Sequence, residues 1–186
     1  MKKTMTLFMA LALVFSIFTG CGSDDSDSDR KSREEESDGY MECLDTIIGM
    51  MTGEELSQAQ VRKLQPEEMF EEKGSFSDYY EQVQAQCKTN ANAMISAFGK
   101  DYVATYKIIE DNILPEADWY EATKRLNDVP WYNAKDVNEI RDMVVEISVS
   151  GQISSQTFPA TFRLMLLDGD WVVLSAEAPE LDAFLN

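Results

Sequence analysis

Histidine is absent from all 186 positions. That removes the Ser-His-Asp and Cys-His arrangements, histidine metal sites and the commonest general base near neutral pH, since each needs an imidazole. Cysteine is scarce, with three in the chain, and a structural zinc site asks for four Cys or His ligands. Glycine and proline are sparse, at nine and five, and they build no phosphate cradle. The nearest candidate, Gly49-Met50-Met51-Thr52-Gly53, lacks the lysine and the preceding strand that such a loop requires and reads as a helix break. Basic side chains number 16 against 34 acidic ones, a net charge of −18. Nucleic acid and anionic lipid headgroups repel such a surface, so neither is expected as a partner. The run Asp24-Asp25-Ser26-Asp27-Ser28-Asp29 has neither the glycine turn nor the distal Glu of a calcium loop. No metal, cofactor or catalytic residue is assigned.

Long apolar runs are also missing. The one candidate, Met5 to Gly20, has 16 residues, short of the roughly 20 that cross a bilayer. With Lys2-Lys3 before it and small residues after it, the segment has the three parts of a secretory signal, and residues 1–20 are read as a removed signal peptide. The ending Phe18-Thr19-Gly20-Cys21 resembles the lipobox of bacterial envelope lipoproteins. That resemblance implies a mature chain starting at Cys21, the lipid attachment site, carrying diacylglycerol on sulfur and a further acyl group on nitrogen. Two or more acyl chains give stable anchoring, so the membrane is a partner through lipid. The implied location is the surface of the cell membrane or outer membrane, lipid-anchored and extracytoplasmic.

The mature chain would have 166 residues, and its side-chain charge is −20, from 14 basic and 34 acidic groups. Gly22 to Gly39 holds eight acidic residues, three basic ones, five serines and no aliphatic side chain. Such a stretch has nothing to bury, so 21–39 is expected to be a disordered acidic tether, about 23 Å end to end as a random coil.

From Tyr40 the apolar spacing turns helical, and 40–186 reads as a single globular domain. Met41, Leu44, Ile47, Ile48 and Met51 share one face. Thr52 followed by Glu55 is a capping-box signature that predicts a short helix from Glu54 to Gln65. Ser77 is the expected N-cap of a longer helix ending near Phe98, with Gly99 as its terminator and Tyr80, Val83, Cys87, Ala91, Met94, Ile95 and Phe98 as its buried face. Tyr102 to Leu114 is read as a strand, and Pro115-Glu116 opens a helix carrying Trp119, Ala122 and Leu126 inward. Met143, Val145, Ile147 and Val149 alternate as a half-buried strand. Phe158, Ala160, Phe162, Leu164 and Leu166 form the next strand, facing away from Thr161, Arg163 and Met165. Asp168-Gly169 before Trp171-Val172-Val173-Leu174 is a strong hairpin signal. The expected fold class is α+β, with N-terminal helices packed on an antiparallel sheet of about four strands.

Two cysteines remain beside Cys21. Cys43 and Cys87 lie on apolar stripes of predicted helices, and an even pair in an exported chain permits a disulfide; two buried thiols packing as small hydrophobes fit as well. The aromatic group Trp119, Tyr120, Trp131 and Tyr132 is the candidate ligand surface, against a plain core role for Trp119 and an end-closing role for Trp131.

The order of elements, ending in Leu167-Asp168-Gly169-Asp170-Trp171, resembles the cone-shaped α+β folds of the nuclear transport factor two-like or cystatin-like kind, which implies that the sheet is curved and cone-like. Folds of that kind sometimes pair an Asp or Glu base with a Tyr donor, which here suggests Tyr102 and Tyr106 near Asp118 or Glu121. The leading functional expectation is a non-catalytic binding or accessory module of the envelope, its partner an unknown protein or small ligand. A small pocket enzyme using carboxylate and tyrosine chemistry is the second, and a structural docking protein the third.

Overall fold

A computed structural model describes residues 31–64, 75–126 and 132–185; residues 1–20, expected to be a signal peptide, the first part of the expected tether, Cys21 and Trp131 lie outside them. The described residues form an α+β fold, with helices leading into a four-stranded antiparallel sheet in the order β1-β2-β3-β4.

The first helix, α1, runs Lys31–Thr52. Residues 31–39, expected to belong to the disordered tether, are therefore helical. Lys, Arg and Glu are good helix formers, and the packed second half of α1 supplies the nucleus that an isolated stretch would lack. Within that half Cys43, Leu44, Ile47 and Ile48 are buried. At the C-terminal end, Thr52 does not cap a following helix: its hydroxyl donates back to the Ile48 carbonyl at 2.9 Å. The capping box sits five residues on, at Ser57. Its Oγ accepts from the Gln60 N–H and its own N–H donates to Gln60 Oε1, starting α2, Gln58–Lys63.

Helix α3 spans Phe76–Phe98 and is capped by Ser75, not Ser77, because Ser75 is extended and its hydroxyl accepts from the Asp78 N–H. Its buried stripe is Tyr79, Val83, Cys87, Asn90, Met94 and Phe98. Relative to the expectation the stripe is rotated slightly, leaving Tyr80 and Ala91 half-buried and Ile95 exposed. Gly53 marks where α1 ends against α3. It has φ +87° and a Cβ there would lie 2.3 Å from the Ala91 backbone nitrogen. Only glycine satisfies both the positive φ and the close approach.

The sheet follows. β1 is Val103–Ile113, β2 Val137–Ser150, β3 Ser155–Leu167 and β4 Asp170–Glu177. Met143, Val145, Ile147 and Val149 of β2 are buried together with Phe158, Ala160, Phe162, Leu164 and Leu166 of β3, on the face where α1 and α3 lie. Asp168 and Gly169 both take positive φ, 51° and 91°, the backbone that a two-residue hairpin between right-twisted strands requires. Met165, expected to face away from the core, is fully buried. The register puts it beside Ile140 and Val172 on the outer face, and all three are buried. The β1–β2 connection supplies their cover. It carries a 3-10 turn, the short α4 (Trp119–Thr123) and a second 3-10 turn, with Leu126 buried and Trp119 and Tyr132 packed on the core.

A final helix that the sequence reading did not foresee, α5, spans Pro179–Leu185. Proline suits a first helical position, and Phe184 sets its ring 5.4 Å from both Phe98 and Phe158. Gly53→Ala is expected to cost roughly 2–4 kcal/mol, from positive-φ strain plus overpacking against α3, read as a lower urea midpoint with an unchanged slope.

Candidate functional site

Beyond Met143, β2 keeps its inward phase while its residue types change. Arg141 and Glu139 stand beside Leu164 and Leu166 in register, so the alternation that buries valines and isoleucines here turns a cation and a carboxylate toward the helices. A half-buried guanidinium survives only if its donors are met. Arg141 Nη1 donates to both carboxylate oxygens of Asp111 on β1, at 2.9 and 2.8 Å, and Nε donates to Glu139 at 2.5 Å. The remaining contacts are aromatic. The guanidinium lies 4.5 Å from the Tyr40 ring centre and 5.9 Å from that of Trp171, and the two rings meet edge to face at 5.5 Å. Each cation–π contact of this kind contributes about 0.5–1 kcal/mol when partly exposed. Burial alone would lower the guanidinium pKa; the hydrogen bonds and charges of Asp111 and Glu139 outweigh it and hold the group above its ordinary value. With two carboxylates on one cation, the cluster carries net negative charge and offers no free anion receptor.

Tyr40 belongs to a longer seam between α1 and β1. Its hydroxyl donates to Asp111 Oδ2 at 3.5 Å. Further along, Tyr106 of β1 donates to Asp45 of α1 at 2.5 Å, and Tyr102, just before β1, donates to the Thr52 carbonyl at the end of α1 at 2.8 Å. Tyrosine hydroxyls thus fasten the edge strand to the helix at three levels. Burial, and then the bond to and charge of Asp45, push the Tyr106 pKa well above its usual value. Tyr40 and Tyr102 move the same way, burial being the largest cause for both. All three stay protonated donors near neutrality.

The expected chemistry is thereby rearranged. Tyrosine–carboxylate pairs do occur, but the partners are Asp45 and Asp111; Tyr102 and Tyr106 are not joined to Asp118 or Glu121, and the hydroxyls are already committed to partners in the fold. Cys43 and Cys87 are free thiols, both buried, so the structure contains no bridge between them. Burial pushes Cys43 up to about 12 and Cys87 up to about 11, which suppresses the thiolate that disulfide exchange needs. Three residues of the candidate aromatic surface are described. Trp119 is half-buried with its indole N–H on the Leu114 carbonyl at 2.9 Å. Tyr132 is half-buried and packed on the core, and Tyr120 projects into solvent.

Arg141, Asp111, Glu139 and Tyr40 escaped the sequence reading. A signal was present nonetheless: extending the period of two back from Met143 places Arg141 and Glu139 inward, where charge is out of character.

The region's other property is openness. β1 is an edge of the sheet, its bulge lies between Ile108 and Glu110, and Val103 and Ile109 are 57% and 43% exposed. Comparisons with protein-family models, curated proteins and solved structures find no match to this chain.

Arg141→Met strands two half-buried carboxylates and is expected to cost about 1–3 kcal/mol in urea titration, with Asp111→Asn in the same chain recovering part of the loss. The raised tyrosines favour the protonated form in the folded state, so stability is fully present below pH 10 and falls as pH rises past it. Tyr106→Phe should make that alkaline decline shallower while costing about 1 kcal/mol at pH 7, which urea midpoints collected from pH 7 to 11 will read.

Proposed function

We propose that this chain is a membrane-anchored, extracytoplasmic lipoprotein whose α+β domain serves as a non-catalytic binding or accessory module of the cell envelope. The observation that carries the anchoring is Phe18-Thr19-Gly20-Cys21 at the close of a short apolar run that follows Lys2-Lys3. Among the described residues no helix is long and apolar enough to cross a membrane, and a surface of this charge does not adhere to anionic lipid by itself. Acyl chains on Cys21 would supply the attachment.

The fold adds a consequence to that reading. Because α1 begins at Lys31, the ten steps of chain from Cys21 limit its start to within about 36 Å of the acylated residue. The domain therefore works close to the bilayer. Binding is supported by β1, whose edge is open and whose apolar side chains Val103 and Ile109 are exposed. The placement of helices ahead of a four-stranded meander supports the cone-type assignment.

Expressed in a bacterial host with its leader, the wild-type chain should sediment with membranes and yield an acylated N-terminal peptide at Cys21 by mass spectrometry. Cys21→Ala should move it to the soluble fraction. A variant that stays with the membranes, or a natural product with Cys21 bare, overturns the anchor.

A further inference from the structure

Among the described residues, the strand order leaves one side of the β1 backbone outside the ladder. An edge of 11 residues is a template for another strand unless something blunts it. Proteins do this with charge, proline, bulges or a cover. Here the bulge comes only after Ile108, β1 contains no proline, and its one cation, Lys107, stands opposite Glu146 in the β1–β2 register. The straight part, from Val103 to Ile108, is therefore weakly guarded.

It is also held still. Tyr106 within this segment and Tyr102 just before it donate to Asp45 and to the Thr52 carbonyl of α1. A strand fixed by its inner side chains presents its free amides and carbonyls without an ordering cost, and preorganisation of this sort favours association.

Two features select the occupant. Val103 and Ile109 are exposed and about six strand positions, ~20 Å, apart, so an incoming strand needs apolar side chains to lie beside them. The exposed charges along the segment alternate, Lys100 beside Asp101 and Lys107 before Glu110, so the sign of the field is set by the whole chain, whose net charge is −18. A second copy would bring the same charge to the same edge, whereas a cationic segment would be attracted. We propose that β1, between Val103 and Glu110, accepts an extended, Lys- or Arg-rich segment of a partner protein as a fifth strand of the sheet. This rests on the binding-module reading above and names its site and the chemistry of its partner.

The test uses the purified full-length chain and a fluorescent alternating Lys-Val peptide of about eight residues, long enough to span the segment at ~3.3 Å per residue. Anisotropy should report saturable binding, and hydrogen exchange should slow at the β1 amides. N-methylating alternate peptide bonds removes the backbone donors and should weaken binding about tenfold or more, as should replacing lysine by glutamate in the peptide. The Val103→Lys/Ile109→Lys chain should bind about tenfold more weakly while keeping its thermal midpoint. Equal affinity of the N-methylated peptide, protection away from β1, or a dimer of the chain alone that already protects these amides would each overturn strand addition. None of those results bears on the acylation of Cys21, so the anchoring reading stands or falls separately.

Discussion

The side-by-side packing of α1 and α3 over one face of the meander is the contact on which the other features depend. Leu44, Ile47 and Ile48 from one helix and Val83, Met94 and Phe98 from the other are buried with the inner residues of β2 and β3. Burial of that size, at about 25 cal/mol per Å² of apolar surface, can hold the two helices only if their backbones come close where α1 ends. Gly53 against Ala91 allows it. The carbonyls left at that helix end are then met by side chains from the neighbours: Asn90 donates to Met50 and Tyr102 to Thr52. The apolar contact sets the position, and polar groups complete it.

Toward β1 the chemistry changes from apolar to polar. The helices do not seal the edge strand with valines and leucines; tyrosine hydroxyls, Asp45 and Asp111 join it to α1, and Arg141 ties Asp111 to Glu139 across β1 and β2. A hydrogen-bonded seam contributes modest net stability per bond, about 1 kcal/mol, but it fixes geometry in a way that dispersion contacts do not. It orients β1 while, among the described residues, no strand pairs with its far side, and in this sense the seam and the open edge are one arrangement.

Much of this was legible in residue order. The period of two in Met143 to Val149 and in Phe158 to Leu166 placed the central strands and their buried faces. Asp168-Gly169 placed the hairpin, and the spacing around Val83, Cys87 and Met94 placed the long helix. Boundaries were less legible. Thr52 and Ser57 both precede helix formers, and only the packing of α1 decides that Thr52 ends one helix while Ser57 begins the next. The charged stretch 31–39 reads as tether by composition and becomes helix because a packed helix next to it removes the nucleation cost. Met165 was misassigned for a comparable reason: alternation tells which side a residue faces, not whether that side is covered, and the β1–β2 connection covers it.

By itself, the amino-acid order determined the acidic composition, the absence of imidazole chemistry, the α+β class and the faces of the central strands, because each follows from local composition or local period. Only the tertiary structure decided that Arg141 meets Asp111, Glu139 and Tyr40, that Cys43 and Cys87 are free, buried thiols, and that β1 is the edge held by a tyrosine seam. Those facts depend on which distant segments meet, and a period of two or of 3.6 carries no information about the partner across the gap.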